Sequence, residues 1–165
     1  MALLFREIRK PALWDTEDVP ELDDGEFPAR AYQDLRAPDN CLSFWRWDED
    51  LTRRQRLVAA LVCKSGNLRP FAYVLVEEAH LEQIGCELSA SKGGTDDHGL
   101  NDVHVDATEL SGFDAYRIGK VIRAAICTSL QSLEEDEVLE CIQFSSENGF
   151  LGKTIPGPIV ARLRN

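Results

Sequence analysis

The strongest constraint on this chain is a short segment, residues 15 to 26 (DTEDVPELDDGE), that contains seven carboxylates and no cation. The whole chain of 165 residues has a net charge of −11, so this one segment supplies most of it. Like charges at this density repel one another and cannot be buried without partners. We therefore predict an acidic loop at residues 15–27, which is either a solvated segment or a surface that meets a basic partner. Its carboxylates are Asp15, Glu17, Asp18, Glu21, Asp23, Asp24 and Glu26.

The length and composition predict a single globular domain over residues 1–165. A chain of this size can bury roughly 70% of its unfolded surface. Residues 1–10 (MALLFREIRK) lack the basic-then-apolar order of a signal peptide. The longest apolar run, Leu57 to Cys63, is far shorter than the ~20 residues that a membrane span requires. We therefore expect a cytoplasmic protein that does not enter a membrane.

The net charge also restricts the class of partner. An acidic protein with a pI near 4.7 is repelled by the phosphates of nucleic acids and by anionic membrane surfaces. The same charge attracts cationic proteins. We therefore expect a basic protein partner, with no binding to nucleic acid and none to membranes.

The cysteines are five in number, widely spaced and without a C-x-x-C pair. An odd count without framework spacing argues against a disulfide scaffold and against a zinc site. Each lies in or beside an apolar segment, so we expect buried structural side chains. They are Cys41, Cys63, Cys86, Cys127 and Cys141.

Two segments carry the pattern of an amphipathic helix. Thr52 and Gln55 fit a capping box at the start of the first, and Gly66 is placed to end it. Ser111 and Asp114 fit the start of the second, which is the longest helix predicted. In both segments apolar residues recur at spacings of three and four, as expected for a helix with one buried face.

Four segments are predicted as strands because they are rich in apolar residues and are bounded by turn residues or alternate regularly. They are Cys41–Trp47, Pro70–Val76, Asp102–Ala107 and Val138–Phe144. Asn148-Gly149 is a hairpin signal that would lead the last of them into a further strand, Phe150–Ile155. The resulting prediction is an α/β (α+β) fold, with a mixed β-sheet of about five strands packed against two or three amphipathic helices.

The strand predicted at residues 102–107 (DVHVDA) contains the best candidate for chemistry. Period-two alternation places Asp102, His104 and Asp106 on one strand face, and His98 precedes them nearby in the chain. Carboxylates and imidazoles suit a divalent metal, which could activate water for hydrolysis. The simpler interpretation is the exposed polar face of a strand that is buried on one side only.

These observations favour a non-enzymatic, cofactor-free protein that binds and neutralises or escorts a basic protein partner, as immunity proteins and other inhibitors do. An anionic surface would mask a cationic site on the partner and accelerate association. Two alternatives remain open: a small metal-dependent hydrolase using the 102–106 strand face, and a structural subunit of a larger assembly. The subunit hypothesis predicts an exposed apolar patch, which the segment from Pro156 to Pro158 could supply.

Overall fold

Six strands form one antiparallel sheet in the part of the chain that the structure describes. The structure is a computed structural model, and it describes residues 2–17, 19, 22–23, 25–35, 40–151 and 155–164. The strands are β1 (Leu3–Glu7), β2 (Leu42–Trp47), β3 (Phe71–Glu77), β4 (Leu88–Ala90), β5 (His104–Ala107) and β6 (Gln131–Leu133). Their order across the sheet is β4-β5-β2-β1-β3-β6, and all five pairings are antiparallel.

Helices cover both faces of this sheet. The α-helices of the described residues are α1 (Tyr32–Leu35), α2 (Leu51–Ser65), α3 (Glu78–Gln83), α4 (His98–Asn101), α5 (Gly112–Ser129), α6 (Glu135–Glu147) and α7 (Gly157–Leu163). Two short 3₁₀ helices, Pro11–Trp14 and Ala29–Ala31, flank the acidic segment. The predicted α/β (α+β) fold is therefore confirmed. It differs from the prediction in detail, because the sheet has six strands instead of about five and its pairings are antiparallel.

Neighbouring residues of each central strand point into two separate hydrophobic layers. Leu4 and Phe44 belong to the layer that packs against α5. Phe5 and Trp45, the next residues along β1 and β2, belong to the layer that packs against α2 and α6. Because both faces are covered, a charged side chain on a central strand needs a partner within the protein.

Helix α2 confirms the first predicted helix but begins at a different cap. The side chain of Asp50 accepts a hydrogen bond from the backbone N–H of Thr52 at 2.8 Å, so Asp50 is the N-cap instead of Thr52. The helix ends at Gly66, as predicted, where φ is +79°. The second predicted helix is α5, and Ser111 and Asp114 form its capping box as expected.

The strand predicted at Val138–Phe144 is wrong, since these residues lie in α6. Val138, Cys141, Ile142 and Ser145 are its buried residues, and their spacing of three, one and three is helical. The pair Asn148-Gly149 ends this helix and does not form a hairpin. Of the strand predicted at 150–155, residues 150, 151 and 155 are not extended strand, and residues 152–154 lie outside the described residues.

A helix that crosses a lipid bilayer needs about 20 predominantly apolar residues. None of the helices of the described residues combines the length and the apolar character of a membrane-spanning helix. The longest, α5, contains several charged side chains, among them Asp114, Arg117 and Lys120.

Substituting each of the two candidate N-cap residues of α2 should change the free energy of unfolding by a different amount. Asp50→Ala removes the side chain that accepts from Thr52 N–H, so we expect it to lower the free energy of unfolding by about 1 kcal/mol. Thr52→Ala keeps that bond, and its effect should be less than half as large. Urea denaturation of both variants measures this difference. An equal or larger loss for Thr52→Ala would show that Thr52 is the cap.

Candidate functional site

The acidic segment is anchored by a buried aromatic residue at each end. Trp14 is 1% exposed and donates its indole N–H to Asp34 Oδ2 at 3.0 Å. Phe27 is 5% exposed, and its ring centroid lies 5.5 Å from that of Trp14. Segment 15–26 therefore begins and ends at the same aromatic contact, which brings its two ends together on the α5 side of the sheet.

Glu26 is bound within the protein and is not available to a partner in this arrangement. Its carboxylate accepts from Tyr116 Oη at 2.7 Å and from Lys120 Nζ at 2.8 Å. The hydrogen bond from Lys120 lowers the pKa of Glu26, and the bond from Tyr116 lowers it further. The same contacts raise the pKa of Tyr116 and of Lys120. Glu26 therefore anchors the segment to α5, and its predicted contact with a partner stays a prediction.

The other described carboxylates of the segment face solvent. Asp15, Glu17 and Asp23 are exposed, and no cation of the described chain lies within ion-pair distance of them. Asp15 also accepts from the backbone N–H of Glu17 at 2.9 Å, which turns the chain locally. The remaining predicted partner-binding residues, Asp18, Glu21 and Asp24, lie outside the described residues.

Two arginines also hold the start of the acidic segment in place. Arg123 of α5 donates to Thr16 Oγ1 at 3.1 Å. Arg30 donates to the backbone oxygen of Asp15 at 2.8 Å. Both cations therefore contact neutral groups of the segment and form no ion pair with the carboxylate of Asp15.

His104 and Asp106 belong to a polar cluster on β5. Ser91 Oγ lies 2.6 Å from Asp106 Oδ2 and 2.7 Å from His104 Nδ1. A carboxylate can only accept, so the hydroxyl proton of Ser91 goes to Asp106, and His104 Nδ1–H donates to the hydroxyl oxygen. Ser43 donates to the other oxygen of Asp106 at 2.8 Å. The cluster thus assigns the neutral histidine one tautomer.

The order of these groups differs from that of a catalytic triad. In a triad the histidine lies between nucleophile and carboxylate, whereas Ser91 lies between His104 and Asp106 here. His104 is only 6% exposed, and the Trp45 ring packs edge-on against it with centroids 4.9 Å apart. The interpretation of this strand face as exposed is therefore wrong. The cluster joins β2, β4 and β5 and does not present a nucleophile and base to solvent.

The four predicted metal ligands are not brought together as one group. The strand begins at His104, and Asp102 lies in the preceding turn with an exposed side chain. His98 is exposed at the start of α4. His104 Nε2 and Asp106 Oδ1 are 3.7 Å apart. Among the described residues, no group of three or more His, Cys, Asp or Glu side chains has the geometry to hold a metal ion.

Beside this cluster, the loop that leads into α4 contains Gly94, and α4 itself contains Gly99. Both glycines pack tightly on α2. Asp97 accepts two hydrogen bonds from Arg56, both at 2.7 Å, and is 3% exposed. A Cβ at Gly99 would lie 2.6 Å from Arg56 Nη2, and one at Gly94 would lie 2.9 Å from Lys64 Nζ. The glycines therefore allow the loop to approach the cations of α2.

A second acidic surface lies along α6, and the strand predicted at Val138–Phe144 does not show it. The residues Asp136, Glu140, Gln143 and Glu147 are spaced by four, three and four, so they lie along one side of α6, and all are exposed. The sequence signal was the run of acids at residues 134–137, which suits a helix N-terminus. This surface lies on the opposite side of the sheet from the acidic segment.

The cysteines were expected to be buried, and this is correct for only part of the set. Cys141 is buried, Cys63 and Cys86 are half-buried, and Cys127 is exposed. Burial raises the pKa of Cys63 and of Cys141 to about 11. These two thiols are therefore protonated at neutral pH, which disfavours nucleophilic chemistry.

The anchor of the acidic segment can be tested at Gly119 of α5. A Cβ there would overlap the Phe27 ring and would lie 2.9 Å from Leu35 Cδ1. We expect Gly119→Ala to lower the free energy of unfolding by about 1 kcal/mol, since overpacking outweighs the gain in helix propensity. The matched control is Gly112→Ala in the same helix, where no atom lies within 4 Å. Urea denaturation should separate the two, and equal effects would contradict the anchor.

The buried cluster predicts a pH dependence of stability. Burial lowers the pKa of His104 below 6.5; the charge of Asp106 opposes this shift, and that of Lys64 adds to it. Below about pH 6.5 the unfolded chain therefore binds a proton that the folded protein does not, and stability falls as pH falls.

His104→Asn keeps a donor near the Nδ1 position and removes the titrating group. Between about pH 7 and about pH 5.5, we expect the wild type to lose stability at up to about 1.4 kcal/mol per pH unit more than this variant. Chemical denaturation at several pH values measures both slopes. Parallel slopes would show that the pKa of His104 is not lowered in the folded state.

Comparison with known proteins supplies no relative from which a role could be transferred. No family model matches the chain, and no curated protein and no solved structure matches it at the required significance. Any function assigned to the chain therefore has to follow from its own residues and their geometry.

Proposed function

We propose that this chain is an acidic interaction protein that binds a basic protein partner through the acidic segment and neutralises or escorts it. The observation that carries the proposal is the segment itself. Asp15, Glu17 and Asp23 are exposed, and their carboxylates form no ion pair with a cation of the described chain, while Trp14 and Phe27 hold the two ends. Closing the ends lowers the conformational entropy that the segment would lose on binding.

The carboxylates would act mainly on the rate of association. Exposed charges steer a partner of opposite sign and are screened by salt, but they contribute little to the lifetime of a complex. The lifetime depends on buried apolar and aromatic contacts near the centre of an interface.

Such a contact is available beside the anchor of the segment. Phe113 is 66% exposed on the first turn of α5, and its ring centroid lies 6.4 Å from that of Tyr116. Arg117 lies over the Phe113 ring at 5.7 Å. Tyr116 in turn binds Glu26. The aromatic residue and the acidic segment are thus parts of one continuous surface, in which the acids would attract the partner and Phe113 would help to retain it.

The proposal is tested by capture of partners from a lysate of the native host with two variants of equal charge change. The first variant is Asp15→Asn, Glu17→Gln and Asp23→Asn. The matched control is Asp136→Asn, Glu140→Gln and Glu147→Gln on α6, on the other side of the sheet. We expect the wild type and the control to retain the same basic protein and the first variant to lose it.

The partner identified in this way allows a kinetic test. Its association rate with the wild type should fall steeply as salt is raised, and the first variant should reproduce the high-salt rate at low salt. Retention of the partner by the first variant, or its loss only from the α6 variant, would refute the assignment to the acidic segment. Failure to retain any basic protein would refute the function itself.

A further inference from the structure

A groove of about 700 Å³ lies between α3 and α5, on the α5 side of the sheet. Its volume falls within the range of small-molecule binding sites. Helix α5 contributes two small side chains to the wall of this groove, Ala124 and Ala125. The apolar residues that line it include Val76, Ile84, Val121, Ala124 and Ala125.

Two cationic side chains lie at the rim of this groove, although the protein as a whole is strongly acidic. Arg117 and Lys120, one turn apart on α5, both line it, although the chain as a whole carries a net charge of −11. No carboxylate of the described chain lies within ion-pair distance of Arg117. An apolar surface next to an unpaired guanidinium is complementary to a molecule with an apolar body and an anionic head.

The same rim already binds a carboxylate of this chain. Lys120 Nζ and Tyr116 Oη donate to Glu26 at 2.8 Å and 2.7 Å, and both residues line the groove. The side chains at this end are therefore arranged to donate to carboxylate oxygens. Arg117 is the neighbouring donor that Glu26 does not use.

We propose that the α3–α5 groove binds a small amphipathic carboxylate, with its acyl chain on the apolar floor and its carboxylate at Arg117. Glu77 lines the groove too, and its Oε2 lies 3.6 Å from His80 Nε2. Its negative charge repels an anionic head and so favours the orientation toward Arg117. The site adjoins the acidic segment through Tyr116 and Lys120, but the proposal does not rest on partner binding by that segment.

The test is a titration of the uniformly ¹⁵N-labelled protein with octanoate, followed by NMR. We expect the amides of Val121, Ala124 and Ala125 to shift in a saturable manner. Arg117→Gln should weaken octanoate binding about tenfold, because a charge-assisted hydrogen bond is lost. Arg162→Gln on α7, an exposed arginine on the other side of the sheet, is the matched control and should leave binding unchanged.

Two further measurements distinguish the contribution of the carboxylate from that of the acyl chain. Octan-1-ol should bind the wild type about tenfold more weakly than octanoate, and Arg117→Gln should not change its affinity. Ala124→Trp should abolish binding of both molecules, with circular dichroism confirming that the helices remain. The proposal is overturned if octanoate does not shift the groove amides, if Arg117→Gln binds it as tightly as the wild type, or if octan-1-ol binds equally well.

Discussion

Arg6 holds the part of the fold on which the acidic segment depends. It lies on the central strand and faces the α5 side, where it donates to the backbone oxygens of Ser43 at 2.9 Å and Asp34 at 3.2 Å. Burial lowers the pKa of Arg6, and the nearby carboxylates of Asp34 and Glu7 oppose that shift. The Asp34 carboxylate accepts in turn from the Trp14 indole and from the backbone N–H of Arg9. This half-buried cation thus connects the sheet to Asp34 and, through the Asp34 carboxylate, to Trp14 at the start of the segment, because a guanidinium that leaves water must find acceptors.

Helix α5 is shared by the two surfaces that we assign. One side of it receives Phe27 at Gly119 and binds Glu26 through Tyr116 and Lys120. The other side lines the groove with Val121 and the two alanines. Lys120 contributes to both, so its charge is partly neutralised by the segment, and Arg117 remains the dominant cation at the groove. The charge pattern of α5 therefore follows from its position between an acidic segment and an apolar groove.

Local patterns in the sequence were sufficient to predict those helices and strands whose buried face has a clear apolar spacing. Helices α2 and α5 and the strands around Phe44 and Val74 were predicted because apolar spacing and capping residues agree there. The prediction failed for α6, where a run of apolar residues hid a helical spacing that only the acids before it revealed. Nothing local could have shown that Glu26 meets Lys120, since the two are 94 residues apart and come together through tertiary contacts such as the packing of Phe27 on Gly119. The alternation at β5 indicated a strand but not the second layer of helices that buries His104.

The second layer of helices buries polar side chains of the sheet, which limits their access to a substrate. A catalytic group needs hydrogen-bonding capacity that is left for a substrate. In and beside the described sheet, several polar side chains are already engaged with one another: Glu7 with Arg69, Asp97 with Arg56, and Asp106 with Ser43 and Ser91. Removing one partner would leave a buried group unsatisfied, which destabilises the fold before it creates an activity. Asp15 on the acidic segment and Arg117 on α5, which have no ion-pair partner in the described chain, lie outside the sheet. Both proposals therefore use groups whose engagement would leave the polar contacts of the sheet intact.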